Sequence, residues 1–112
     1  MKLVSVVALT IWFASAAAFA EVPSLSTNHF TISLSQADCI ARAEQVMRKA
    51  GHNRIEHIGQ SVFADTADDQ YQLVIRCVSD NRIAFFVAAG RLPDVAQKLA
   101  ERLNALFRDT SW

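Results

Sequence analysis

Neither sign of charge dominates this 112-residue chain, which carries eleven basic and eleven acidic side chains. The charges are interspersed, so there is no clustered basic face for nucleic acid and no basic stretch for an anionic membrane surface. Cysteine is scarce: only Cys39 and Cys77 are present, 38 residues apart. That spacing excludes the C-x-x-C of a dithiol oxidoreductase. With three glycines in all, the chain has no Gly-rich phosphate loop. It also lacks a G-x-S-x-G elbow and an H-E-x-x-H zinc helix. Catalytic groups would therefore have to converge only in the fold, and candidates are few in so short a chain. A non-catalytic protein is the expectation.

Metal ligation fares no better. His29, His52 and His57 share no one-face helical spacing and form no zinc knuckle with the cysteines. Asp65, Asp68 and Asp69 fall in one loop but lack the alternating ligands, central glycine and distant glutamate of a calcium loop. A solvated turn is expected there, and neither a metal nor a cofactor is assigned.

The N-terminus, by contrast, is informative. Lys2 is the only charge in "MKLVSVVALTIWFASAAAFA", an apolar stretch runs from Leu3 to about Ala14, and Ala18-Phe19-Ala20 ends a small-residue run. This is the pattern of a secretory signal peptide over residues 1–20, cleaved before Glu21. The competing reading is an uncleaved anchor, since the uncharged run just reaches spanning length. Ser5, Thr10 and Ser15 dilute that run, and no basic stop-transfer cluster follows. No cysteine follows the cleavage site, so lipid modification there is not expected. Removal of residues 1–20 takes away Lys2 and leaves 92 residues with ten basic and eleven acidic side chains. That is one small domain with a modest core. No stable membrane insertion is expected after cleavage.

A periplasmic or secreted chain meets an oxidising compartment, where two cysteines pair. A Cys39–Cys77 bridge would contribute about 3–4 kcal/mol by the chain-entropy argument. That is a large part of the net stability of so small a domain.

Residues 21–28, "EVPSLSTN", show no sustained period and read as a flexible leader before a domain at 29–108 and a tail at 109–112. "HFTISL" (29–34) alternates Phe30, Ile32 and Leu34 against Thr31 and Ser33, which predicts a half-buried strand. Ser35 begins "SQAD", a capping-box-like start for a helix reaching Ala50 and closed by Gly51. Cys39, Ala43, Val46 and Ala50 make its apolar stripe, widened by Ile40 and Met47. Residues 53–65 read as one strand, with a bulge or twist at Gly59. After the "DTADDQ" loop, Tyr71, Leu73, Ile75 and Cys77 alternate with Gln72, Val74, Arg76 and Val78. "SDN" then turns the chain into "RIAFFVAA" as a hairpin partner. Pro93 and Asp94 start a final helix whose stripe is Leu92, Val95, Ala96, Leu99, Leu103, Leu106 and Phe107. Lys98, Glu101, Arg102 and Asn104 lie off it.

The predicted order is βαβββα: an α+β two-layer sandwich with a mainly antiparallel four-stranded sheet and two helices on one face. Cys39 lies on a helix stripe and Cys77 on the strand parity of Leu73 and Ile75, so both sulfurs are expected between the layers. The string "AEQVMRKAG…VIRCV…FFVAAG…A…L…L" resembles short exported bacterial proteins of βαβββα order to which no function is assigned. That resemblance supports the element order and carries over no catalytic residue.

One surface stands out. The sheet face away from Cys77 is assigned Val74, Val78, Ala84, Phe86 and Ala88, interrupted by Gln72, Arg76 and Arg82, which is apolar for a solvated face. Two readings stand: an ordinary outer face, since single exposed hydrophobes are common, and a partner or self-association face with Phe86 as its aromatic anchor. The function expected is a small exported binding or protein-interaction module stapled by Cys39–Cys77. The alternative is a small extracytoplasmic enzyme or thiol-redox protein.

Overall fold

The computed structural model describes residues 24–109. The signal segment 1–20, the first residues of the expected leader and residues 110–112 of the tail lie outside them. The elements are β1 (Ser24–Thr31), α1 (Gln36–Lys49), β2 (Asn53–Ile58), β3 (Ser61–Asp65), β4 (Tyr71–Val78), β5 (Ile83–Gly90) and α2 (Pro93–Arg108). The fold is α+β, with one antiparallel sheet ordered β1-β5-β4-β3-β2. Both helices pack on one face of it, α1 over β2, β3 and β4, and α2 over β1, β5 and β4. Among the described residues no helix is long and apolar enough to cross a membrane.

Local chemistry fixes both helix starts. Ser35 caps α1 by accepting from the Asp38 amide, and Pro93 opens α2 with Asp94 in the first turn. Gly51 takes φ +81° past the end of α1, the left-handed position that favours glycine. The core is built from the helix stripes and the inward strand positions: Ile32, Cys39, Val46, Met47, Leu73, Ile75, Leu103 and Phe107 are all buried. Cys39 and Cys77 are bridged, with Cα atoms 6.0 Å apart, and both are fully buried. The bridge ties α1 to the central strand β4.

Three expectations need correction. The strand expected at 29–34 begins at Ser24, so residues 24–28 of the expected leader belong to β1. Its inward positions Ser24, Ser26 and Asn28 are polar, so hydrophobic alternation gives no sign of them. They are held instead by pairing along the full length of β5. Next, residues 53–65 are two strands. Gly59, at φ +60°, opens a two-residue turn with Gln60, and the irregularity in β2 sits at Arg54, at φ +53°. The sheet thus has five strands.

The third correction changes the proposed surface. Four residues, Ser79 to Arg82, connect β4 to β5, and Val78 pairs with Ile83. A loop with an even number of residues pairs odd positions with even ones, and directly paired residues point to the same side of a sheet. Cys77 is opposite Ala84, Ile75 opposite Phe86 and Leu73 opposite Ala88. Ala84, Phe86 and Ala88 therefore face the helices and are fully buried. Phe86 packs edge-to-face on Phe107, with ring centroids 5.4 Å apart. It is a core residue, and a charged substitution there would unfold the domain.

Gly90 closes β5 opposite Tyr71. A Cβ at this position would fall inside the Tyr71 ring, whose hydroxyl accepts from the Leu92 amide at the start of α2. The ring cannot swing away without losing that bond. Gly90→Ala is expected to lower stability by about 1–3 kcal/mol, as other overpacked sites do. Urea unfolding of the two proteins side by side checks it; equal midpoints would refute the constraint.

Candidate functional site: the uncovered sheet face

With the parity corrected, the outer face can be read row by row from the strand registers. Thr27, Val87, Val74, Phe63 and Glu56 form one row, and His29, Phe85, Arg76, Ser61 and Ile58 the next. Ile83 and Val78 stand beyond Phe85 and Arg76, and Leu25, Ala89, Gln72 and Asp65 form the row on the other side. No element of the described chain covers this face. Phe85 is 36% exposed and Ile58 56%. Val74, Val78, Phe63, Ile83 and Val87 are half-buried by one another. Of the five apolar residues expected on this face, Val74 and Val78 are here, and Ala84, Phe86 and Ala88 are buried under the helices. Phe85 holds the place expected of Phe86.

Arg76 is the one cation in the middle of this apolar field. It lies directly opposite Phe85. Its guanidinium donates to Gln60 Oε1 at 2.9 Å and to Ser61 Oγ at 3.5 Å. Both partners are neutral, and among the described residues Arg76 forms no ion pair. Carboxylates stand only at the rim, on Asp65 and Glu56. Asp65 is already engaged by Arg54 at 3.3 Å. A central aromatic beside an arginine, ringed by aliphatic and then polar groups, is the composition of a protein-binding hot spot.

The other candidate groups do not converge. His29 lies on the outer face of β1, and His57 on the helix side of β2 with its Nε2 donating to the Gly59 carbonyl. His52 follows α1, half-buried. Burial first, and then the nearby Arg102 charge, lower its pKa below the usual histidine value. The acidic loop is consumed locally. Asp68 accepts from Thr66 Oγ1 and the Gln70 amide, and Asp69 pairs with Arg54.

No protein-family model, no curated protein and no solved structure matches the chain. The reading of the face therefore rests on its own chemistry.

Sequence reasoning missed Asn104, which lies off the apolar stripe by spacing and is nevertheless only 7% exposed. Its Nδ2 donates to Asn28 Oδ1 at 2.8 Å and to the His29 carbonyl at 3.2 Å. Asn28 Oδ1 in turn accepts from the His29 amide at 2.8 Å. The only available signal was indirect: a polar residue one turn from Ala100 and Phe107 must lie at a border of the buried stripe.

Proposed function

We propose that this chain is an exported, non-catalytic protein-interaction domain that binds a partner protein through the uncovered sheet face. Arg76 carries the reading, being an unneutralised guanidinium set among Phe85, Val74, Val87 and Phe63. The partner chemistry follows: an apolar protein surface that brings a carboxylate to Arg76, since a charge-assisted bidentate contact is strongest where water is excluded. A lone arginine among rim acids does not suit nucleic acid or an anionic bilayer, which both want several cations. Export is supported by the signal pattern of residues 1–20 and by the bridged cysteines. The non-catalytic reading is supported by the burial of both sulfurs and the scatter of the histidines.

A photocrosslinking side chain at position 85, in the cells that make the protein, is expected to give one discrete adduct. The adduct should disappear with Arg76→Glu and persist with Arg82→Glu, a change at the hairpin end off the face. No adduct, or one indifferent to Arg76→Glu, would refute the site.

A further inference from the structure

The two edges of the sheet are finished differently. Exposed edge strands are templates for pairing with another chain, and proteins block them with charge, bulges or short length. β2 has all three: six residues, Arg54 and Glu56, and a register break between Asn53 and Glu56. β1 has none. It is eight residues long, pairs with β5 without interruption, and reads SLSTNHFT with no lysine, arginine, acid or proline.

The hydrogen-bond phase of β1 is also fixed. The Ile32 amide donates to the Arg82 carbonyl, in the same register as the rest of the β1–β5 pair. Even positions thus bond inward, and Leu25, Thr27, His29 and Thr31 turn their amides and carbonyls to the open edge. Those of His29 are held by the Asn28 and Asn104 carboxamides. The Asn104 Oδ1 is buried there without a hydrogen-bond partner.

We infer that β1 is a self-association strand, joined antiparallel to β1 of a second copy about a two-fold axis at Asn28. This is independent of the sheet-face reading. Thr27 then pairs with His29 of the second copy and Leu25 with its Thr31, so that every open position enters the new ladder. The His29 amide exchanges its Asn28 bond for an interstrand one. Asn28 of the second copy brings carboxamide N–H donors to the buried Asn104 acceptor.

The flank of α2 above the edge matches the same axis. Asn104 lies over Asn28 and His29, and Arg108 sits over the Phe30 ring at 5.9 Å. Glu101 is on that flank, seven residues before Arg108. The midpoint of the two is at Asn104, above Asn28. A two-fold there sets Glu101 of each copy against Arg108 of the other, and neither forms an ion pair among the described residues. With strands about 4.8 Å apart and α2 over the β1–β5 pair, the two α2 axes stand about 10 Å apart, at helix contact distance.

The test is light scattering with size exclusion on the exported protein, loaded from about 5 to 500 μM. The native chain is expected to shift to a dimer across that range. Thr27→Pro, which removes an edge amide that bonds nothing within the sheet, should leave a monomer with an unchanged circular dichroism spectrum. Glu101→Arg and Arg108→Glu should each raise the dissociation constant at least tenfold, and the two together should restore it. A native monomer at every concentration would overturn the inference. So would a dimer that survives Thr27→Pro, or one lost only with Phe85→Asp, which would place the contact on the sheet face. The first two of these results leave crosslinking at position 85 untouched, whereas a dimer lost only with Phe85→Asp would make a second copy the partner captured there.

Discussion

Phe86→Ala is expected to cost about 3–5 kcal/mol, the range for emptying a buried phenylalanine site. The ring is fully buried, opposite Ile75 on β4 and edge-on to Phe107 of α2. Its loss opens a cavity where the sheet and the second helix meet, and neither can close it without moving the other. For a domain of this size the melting temperature should fall by at least about 12 °C. Phe85→Ala, one residue away, removes a side chain that is 36% exposed and should cost only about 1–2 kcal/mol. Thermal and urea unfolding of the two variants decides the matter. Comparable losses, or a larger one at Phe85, would mean that the parity of β5 is wrong.

The second large effect belongs to the cysteines. Replacing Cys39 and Cys77 together with alanine is expected to remove about 3–4 kcal/mol, because the unfolded chain regains the freedom of a 38-residue loop. Set against the 5–15 kcal/mol typical of folded domains, that leaves little reserve at 37 °C. Because both sulfurs are fully buried, reductant should act on the native protein only at the rate at which it opens. Equilibrium unfolding of the double variant measures the first effect, and timed alkylation under reductant the second. A loss under about 1 kcal/mol would show that α1 and β4 hold together without the bridge.

These two residue sets differ in how legible they were. Cys39 and Cys77 sit on periodic stripes, one helical and one alternating, and periodicity alone places them between the layers. Phe86 has no such guide, because Phe85 and Phe86 are adjacent and equally apolar. Which of them points inward depends on the parity of a connection four residues long, Ser79 to Arg82. A four-residue connection pairs Ile75 with Phe86 and so turns Phe86 inward. The small neighbours were a second hint. Ala84 and Ala88 on β5 are buried in the same core as Ala96 and Ala100 on α2, an arrangement that lets helix and strand approach closely.

The first half of β1 was illegible for a different reason. Its inward residues are Ser24, Ser26 and Asn28, so nothing in their hydrophobicity marks a strand. Pairing with β5 decides it, and such pairing is a tertiary fact. Gly59 was recognised as a break, but a bulge and a two-residue turn need the same left-handed backbone, and the pattern does not separate them. On the sheet face, the outward position of Val74 and Val78 is legible because β4 alternates without exception. The significance of Arg76 emerged only when Phe63, Val87 and Phe85 were placed around it.

The Cys39–Cys77 bridge also partitions the chain against proteases. It encloses α1, β2, β3 and β4 in one covalent ring and leaves β1, β5 and α2 outside. The exposed Asp68–Gln70 tip lies inside that ring. A cut there yields two fragments that stay joined, and the nicked protein remains one covalent species, heavier by a water, until it is reduced. The Asp80–Arg82 tip lies outside, and a cut there frees β5 with α2 as a separate piece. Under proteolysis, a cut at one exposed turn is thus held by a covalent tie and a cut at the other by packing alone.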